Sequence, residues 1–401
     1  MILRRAACAA VLLALAAASY WTLRLGWADH LARRNTVESL QAAIRALPWN
    51  AAYHARLAAL DPARAEASLQ RAVALNPRYA RGWIELGLLA EHRGETARAE
   101  RLLLEAWRVD RTFEPRWALA NHYFRQGQAE GFWRWARLAA EMSYGDRVAL
   151  FRLCWRFTSD AAAILDRAIP GDPAVLAAYL AFLLKDDRLA AAPAVLARLA
   201  PHLSRRHEPL LLDLCDRQIE ARSWTEAVAT WNALAGRKLL PYAPLDPARG
   251  ASLTNGDFAF PPAGRGFDWQ VPAQPVVNAF PDVYEKALRI ELTGRQPESC
   301  DLLAQPLPLA PATRYRLSLT WRADPGGGFH WSVVDPQSGS GFPSQTHGGQ
   351  PEADWKRHVL AFTTPPGAGG GRLALSYRRP PGAARFQGSL WLRAASLEIV
   401  R

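Results

Sequence analysis

The stretch NPRYARGWIELGLLAEHRGETARAERLLLEAWRVD, residues 76–110, constrains this chain most, because its spacing alone dictates a three-dimensional unit. Trp83, Leu86 and Gly87 fall on one helical turn, Gly94-Glu95 interrupts the pattern, and Ala99, Leu103 and Ala106 mark a second helix. Small residues at Gly87, Ala99 and Ala106 let two antiparallel helices approach closely, while Trp83, Leu86 and Leu103 fill the space that remains. One such pair cannot bury its own apolar face, so it predicts neighbours. They are present: Trp117 stands 34 residues after Trp83, and Ala140 stands 34 residues after Ala106.

The spacing W-x2-L-G, then A, an apolar residue and A, resembles the tetratricopeptide repeat (TPR), whose period is about 34 residues. Ala90 replaces the usual aromatic residue, and Arg111 stands where the closing proline belongs. Upstream, Leu40, Ala43 and Pro48 form a second-helix half-unit, and Tyr53, Leu57, Ala65, Leu69, Ala72 and Pro77 a shortened unit. Downstream the motif degenerates, with Asn121 at the glycine position, Phe124 at the aromatic one and Trp133 at an alanine one. Helical patterns without a strict motif follow at 151–168, 173–184, 189–203, 208–221 and 225–235, with Asp172 and Ser223 expected to supply N-cap oxygens. The resemblance implies that first-helix side chains line a protein-binding groove, which makes Arg81, Glu85, Glu91, His122 and Arg125 the candidate partner contacts.

The chain begins Met-Ile-Leu-Arg4-Arg5 and continues with an uncharged run from Ala6 to Leu23. Eighteen residues approach the shortest helix that spans a hydrocarbon core, and Tyr20 and Trp21 are placed for the interface. A retained membrane anchor over residues 1–28 is the preferred reading; a signal peptide cleaved after Ala16-Ala17-Ala18 is the alternative. Arg4 and Arg5 are balanced by Arg24, Arg33 and Arg34, so flanking charge leaves the orientation open.

The formal charge of +12 over 401 residues invites a nucleic-acid reading. Residues 251–401 carry 15 Lys+Arg against 12 Asp+Glu, and residues 1–250 carry 34 against 25, so the excess lies mainly on the helical part. Only four of the basic residues are lysine, and no dense basic cluster accompanies a nucleic-acid fold, so solvated helix faces account for the charge and no nucleic-acid partner is expected. Four cysteines, Cys8, Cys154, Cys215 and Cys300, form no CxxC pair and no zinc spacing, and Cys154 and Cys215 read as buried thiols.

Composition changes at residues 239–252, LLPYAPLDPARGAS, where prolines and a glycine end the helical pattern. The expected organisation is therefore a helical repeat domain over 29–240, a linker over 241–251 and a second domain over 252–401. There the period becomes two: in 314–321, Tyr315, Leu317 and Leu319 point one way and Arg316, Ser318 and Thr320 the other. Similar alternation at 287–292, 329–333, 359–363, 373–377 and 390–399 argues an antiparallel β-sandwich.

LTNGDFAF at 253–260, LLAQPLPLAPATRYRLSLTWRAD at 302–324, WKRHVLAFTTP at 355–365 and SLWLRAASLEI at 389–399 together resemble carbohydrate-binding modules of the jelly-roll, galactose-binding-like group. The resemblance implies a two-sheet sandwich that holds a glycan against aromatic rings. A sugar site needs aromatic faces and planar hydrogen-bonding groups, for which Trp269, Tyr284, Trp331 and Phe342, with Gln305, His330, Gln337 and Gln345, are the candidates. Trp321, Trp355 and Trp391 fit the sandwich core or a strand face equally well. Members of the group often hold a structural calcium with an acidic residue near the end of the last strand; Arg393 stands in that region here, and no metal or cofactor is expected.

No G-x-S-x-G, H-E-x-x-H or nucleotide loop is present, and the acids of the sandwich are scattered over turns, so no catalytic residues are assigned. The expected protein is a non-enzymatic, membrane-anchored adaptor of a bacterial cell envelope, periplasmic beyond its anchor. It would bind a protein through its TPR groove and a polysaccharide through its sandwich, in assembly or export of a surface polysaccharide. The alternatives are a scaffold without sugar affinity and, more remotely, a polysaccharide hydrolase.

Overall fold

The computed structural model describes residues 2–142, 145–272, 277–336, 339–342 and 350–400. The chain divides into two compact units between Tyr179 and Leu180, inside the helical region.

The first unit contains α1 (Ile2–Arg33), α2 (Val37–Ala46), α3 (Ala51–Leu60), α4 (Ala65–Leu75), α5 (Ala80–His92), α6 (Thr96–Val109), α7 (Phe113–Arg125), α8 (Ala129–Met142), α9 (Val148–Phe157), α10 (Ala161–Arg167) and the start of α11 (Pro173–Lys185). From Cys8, α1 is long and apolar enough to cross a membrane or to be a signal sequence. Helices α3–α4, α5–α6 and α7–α8 pack as successive pairs, the TPR-like arrangement. The small residues of 76–110 act as their spacing predicts. A Cβ on Gly87 would lie 2.8 Å from the Leu103 side chain, and Ala99, Leu103 and Ala106 are fully buried beneath it. In the next pair, where Asn121 replaces that glycine, the close approach passes to the opposite helix: a Cβ on Gly131 would lie 2.3 Å from the ring of Tyr123. Gly94 (φ +79°) and Gly127 (φ +65°) reverse the chain between paired helices in a conformation costly for other residues.

The expected helix over 151–168 is instead two, because Asp160 starts a new one: its carboxylate accepts the N–H groups of Ala162 (2.9 Å) and Ala163 (3.0 Å). Asp172 caps α11 in the same way. Ser223 does not act as expected and makes no side-chain cap bond.

The second unit adds α12 (Ala192–Leu199), α13 (Glu208–Glu220) and α14 (Trp224–Gly236) to eight antiparallel strands: β1 (Val277–Asp282), β2 (Ala287–Thr293), β3 (Ser299–Pro308), β4 (Arg314–Ala323), β5 (Phe329–Val334), β6 (Lys356–Thr363), β7 (Gly370–Arg378) and β8 (Gln387–Ile399). Two sheets, in orders β1-β2-β8-β4-β6 and β3-β7-β5, enclose a core to which Tyr315, Leu317, Leu319 and Trp321 contribute, so the alternation of β4 translates directly into burial. The edge strand β3 does not alternate, and its residues from Leu302 to Pro308 are all buried, because α14 packs against the sheet's other side. Its position at the edge accommodates Pro306 and Pro308.

The hairpin α13–α14 is built into this sandwich. Cys215, Ala227, Trp231, Leu245 and Phe267 form one buried cluster, and a Cβ on Gly370 would lie 2.3 Å from the Trp224 ring. Residues 241–251, expected as a linker, are fixed to α14: Asn232 accepts from the Leu245 N–H at 2.7 Å and donates to its carbonyl at 2.8 Å. Tyr242 stacks on Trp231 and donates to Asp268 at 2.9 Å, while Arg265 pairs with Asp213 and Asp216.

Candidate functional site

Strand register assembles one ordered row on the outward face of the five-stranded sheet. Phe280 of β1 lies opposite Arg289 of β2, Arg289 opposite Trp391 of β8, and Trp391 opposite Arg322 of β4. Each residue has the phase opposite to its core-facing neighbours, so all four project from the same side. Ring and guanidinium alternate along the row: Arg289 is 5.7 Å from the Phe280 ring centre and 5.2 Å from that of Trp391, and Arg322 is 4.2 Å from Trp391. Trp355, just before β6, continues it at 5.4 Å from Arg322. The pairing of β4 with β8 shifts between Thr320 and Trp321, leaving Arg393 as an extra residue whose guanidinium lies 4.0 Å from the Trp355 ring.

Carboxylates hold this row in place. Glu285, in the β1–β2 turn, accepts from Arg322 at 3.2 Å and from Arg393 at 3.4 Å. Asp282 accepts from Trp391 Nε1 at 3.0 Å, and Arg289 pairs with Glu291 at 2.7 Å. The N–H of Glu285 holds the Asp282 carboxyl below its ordinary range, reinforced by the Trp391 indole. The result is a row of alternating planar cations and π-faces with acceptors along its edge.

A second concavity, of about 610 Å³, lies between α13–α14 and the three-stranded sheet, with Trp224, Gln270, Pro306 and Gly371 in its wall. Its charged groups are engaged: Arg372 with Asp301 at 2.8 Å, Asp216 with Arg265, and Arg222 donating to the Pro336 carbonyl at 3.3 Å. Among the described residues no cluster of three or more His, Cys, Asp or Glu side chains could hold a metal ion.

Most of the glycan candidates chosen by residue type lie elsewhere. Trp269 is fully buried, stacked on Phe258 and donating to the Asn255 carbonyl at 3.0 Å. Trp331 is buried between Trp269 and Trp321, and Phe342 is buried against Phe362. Gln305 is fully buried, donating to the Thr254 and Phe267 carbonyls at 3.0 and 2.9 Å. These four fill or tie the core and present no face to a sugar. His330 is exposed on β5, and among the described candidates Tyr284, 99% exposed in the β1–β2 turn, is the one beside the row, next to Glu285. Gln337 and Gln345 lie outside the described residues. Trp355, Trp391 and the arginines lie outside that candidate set; the phase of Trp391 between Leu390 and Leu392 turns its ring outward, where Arg289 and Arg322 cover it and leave it 8% exposed.

In the first unit, Arg81 and Glu85 pair along α5 at 2.9 Å. Glu91 of α5 lies 3.1 Å from His122 Nδ1 and accepts from Arg125 Nε at 2.9 Å, both on α7. His122 is only 1% exposed and Glu91 11%, so these two stitch neighbouring repeats together, which corrects their expected role as partner contacts, while Arg125 pairs with Glu91 and stays 43% exposed. Burial opposes ionisation of Glu91, but the Arg125 guanidinium and the His122 imidazole outweigh it and hold the carboxyl below its ordinary range. Helices α3, α4 and α5 also line an apolar concavity of about 280 Å³, with Ala58, Ala65, Leu69, Leu88 and Leu89 in contact with it, Glu85 in its wall and Leu88 exposed.

No protein-family model matches the chain, and no curated protein matches it. Among solved structures it is similar to a CBM4 carbohydrate-binding module at 15% identity and a TM-score of 0.28, covering 37% of this chain and 100% of that one. It is also similar to YrrB, a TPR protein with an unusual peptide-binding site, at 14% identity and a TM-score of 0.26, over 51% and 94% of the two chains. PilF of Pseudomonas aeruginosa is similar at 20% identity and a TM-score of 0.24, over 55% and 90%. The structural neighbours of this chain thus include TPR proteins and carbohydrate-binding modules, and its TPR-like helix pairs and antiparallel sandwich stand on its own packing and strand order.

Proposed function

We propose that this chain is a non-enzymatic, membrane-anchored adaptor of a bacterial envelope that holds a protein on its helical repeats and a polysaccharide on its sandwich, beyond the membrane, in surface polysaccharide assembly or export. The observation that carries the reading is the row Phe280–Arg289–Trp391–Arg322–Trp355, which crosses the breadth of the five-stranded sheet, with Phe280 exposed at one end and Trp391 beneath Arg289 and Arg322 at its centre. Sugar rings pack their C–H faces on aromatic planes, and guanidinium and carboxylate groups are the planar partners that fix hydroxyls. The apolar concavity beside Leu88 suits an amphipathic protein segment.

The test is binding of full-length protein in detergent micelles to a panel of bacterial surface polysaccharides. Wild type is expected to retain at least one of them, and Trp391→Ala or Trp355→Ala to lose it with unchanged circular dichroism. Binding that survives both substitutions, or no binding across the panel, overturns the glycan assignment. A periplasm-dependent reporter fused after Arg401 should be active; a silent fusion at normal abundance overturns the placement.

A second reading, a scaffold without sugar affinity, is favoured by one observation. Glu285 already engages Arg322 and Arg393, whose guanidinium groups cover the Trp391 and Trp355 rings, so the row can serve as an internal strut.

A further inference from the structure

The helix α1 does not end where its apolar run ends. Its last turns are a wall of the first repeat: Ala28 and Ala32 are buried against Leu40, Ala43, Leu47, Tyr53 and Leu57, and Asp29 accepts a hydrogen bond from the Tyr53 hydroxyl. The helix is continuous from Ile2 to Arg33. Eighteen residues from Ala6 to Leu23 rise about 27 Å, close to the thickness of about 30 Å of a hydrocarbon core. The level of Arg24 is therefore the level of the lipid headgroups when the run is inserted.

An aromatic cluster surrounds that level. Tyr20, Trp21 and Trp27 are exposed along α1, and Trp49, in the connection between α2 and α3, is 50% exposed beside them. The Trp21 and Trp49 rings meet edge to face at 5.8 Å, and the Arg24 guanidinium lies 5.1 Å from the Trp21 ring centre and 5.6 Å from that of Trp49. Arg24 Nε also donates to the Ala46 carbonyl at 2.8 Å, which ties the end of α2 to α1 at this height. Exposed tryptophan and tyrosine rings with a central arginine match the chemistry of a bilayer interface, where amphipathic rings sit among headgroups and the guanidinium reaches phosphate.

We infer that the connection between α2 and α3, through Trp49, is a membrane-contact element: with Tyr20, Trp21, Arg24 and Trp27 it seats the first repeat on the lipid interface of the bilayer that α1 crosses. This rests on α1 being a membrane helix. The occupant is the glycerol and phosphate layer of that bilayer, argued from the continuity of the cluster with the apolar run and from its position one core thickness along the helix.

The test places a nitroxide on one cysteine at a time in full-length protein carrying Cys8→Ser, in vesicles of phosphatidylethanolamine and phosphatidylglycerol. Collisions with oxygen and with a nickel chelate report depth. Three labels are read: Leu13→Cys in the apolar run, Pro48→Cys beside an intact Trp49, and His92→Cys at the far end of α5. The expected pattern is Leu13 deep, Pro48 at headgroup depth and His92 aqueous, with Trp49→Ala moving the Pro48 label towards the His92 value. A deep Leu13 label with a Pro48 label as nickel-accessible as His92 overturns the contact while the anchor stands. An aqueous Leu13 label overturns both.

Discussion

The fusion of α14 to the sandwich can be tested at a single contact between Trp231 and Gly266. Gly266 has φ +56°, and a Cβ there would lie 2.5 and 2.7 Å from Cζ3 and Cε3 of the Trp231 ring. Gly266→Ala therefore carries two penalties: about 1–2 kcal/mol for an L-residue in the left-handed region, and about 1–3 kcal/mol for forcing a methyl into a filled space. Trp231→Ala removes a fully buried ring that stacks on Tyr242 and meets Phe267 edge to face, a loss of about 3–5 kcal/mol. In the double variant the ring is gone and the overpacking disappears, so its cost should fall short of the sum by about 1–3 kcal/mol. Hydrogen exchange of full-length protein, read by mass spectrometry on peptides from β3 and β7, follows the second unit independently of the first. Costs that add to within about 0.5 kcal/mol would show that the ring does not press on Gly266. Unchanged exchange of β7 in Trp231→Ala would refute the fusion itself.

Two further outcomes follow from ionisable groups. Glu91 has a carboxyl held below its ordinary range, so the bridge between α5 and α7 contributes fully above the ordinary carboxylate range and is lost as pH falls through the depressed value. Thermal melts of the helical signal should therefore fall more steeply with acid in wild type than in Glu91→Gln, which should cost about 1–3 kcal/mol at pH 7; parallel curves would contradict the triad. Burial pushes the Cys154 thiol up to about 12 and raises that of Cys215 as well, so a maleimide should label these two only on unfolding and not in the native protein. Rapid native labelling of either would contradict the packing of its helix.

What could be read in advance was whatever depends on neighbours along the chain. The closeness of α5 and α6 is written in Gly87, Ala99 and Ala106, and the alternation of 314–321 marks a strand with one buried face. Strand β3 escaped that reading because helices cover its second side, which erases alternation and leaves an apolar run with two prolines. The sugar candidates failed for a related reason. Residue type proposes Trp269 and Gln305, but only strand phase separates them from Trp391, and only pairing register brings Arg289 and Arg322 to it. Register between β2, β8 and β4 joins residues about 100 and 70 positions apart, a separation at which local pattern carries no information. The burial of His122 is not legible in its own helix because its partner Glu91 arrives from the preceding repeat.

The burial of Ala28 and Ala32 makes the end of the long apolar helix part of the first repeat's own core. A protein hung from a flexible leash can be moved to another tether without harm to its domain. Here the long apolar helix also supplies a side of the first repeat, so exchanging the segment through Arg33 for a lipid anchor would leave Leu40, Tyr53 and Leu57 facing water. On the proposed reading of α1 as a membrane anchor, closing that core would set the orientation of the first repeat about the anchor and give its apolar concavity a fixed bearing to the bilayer.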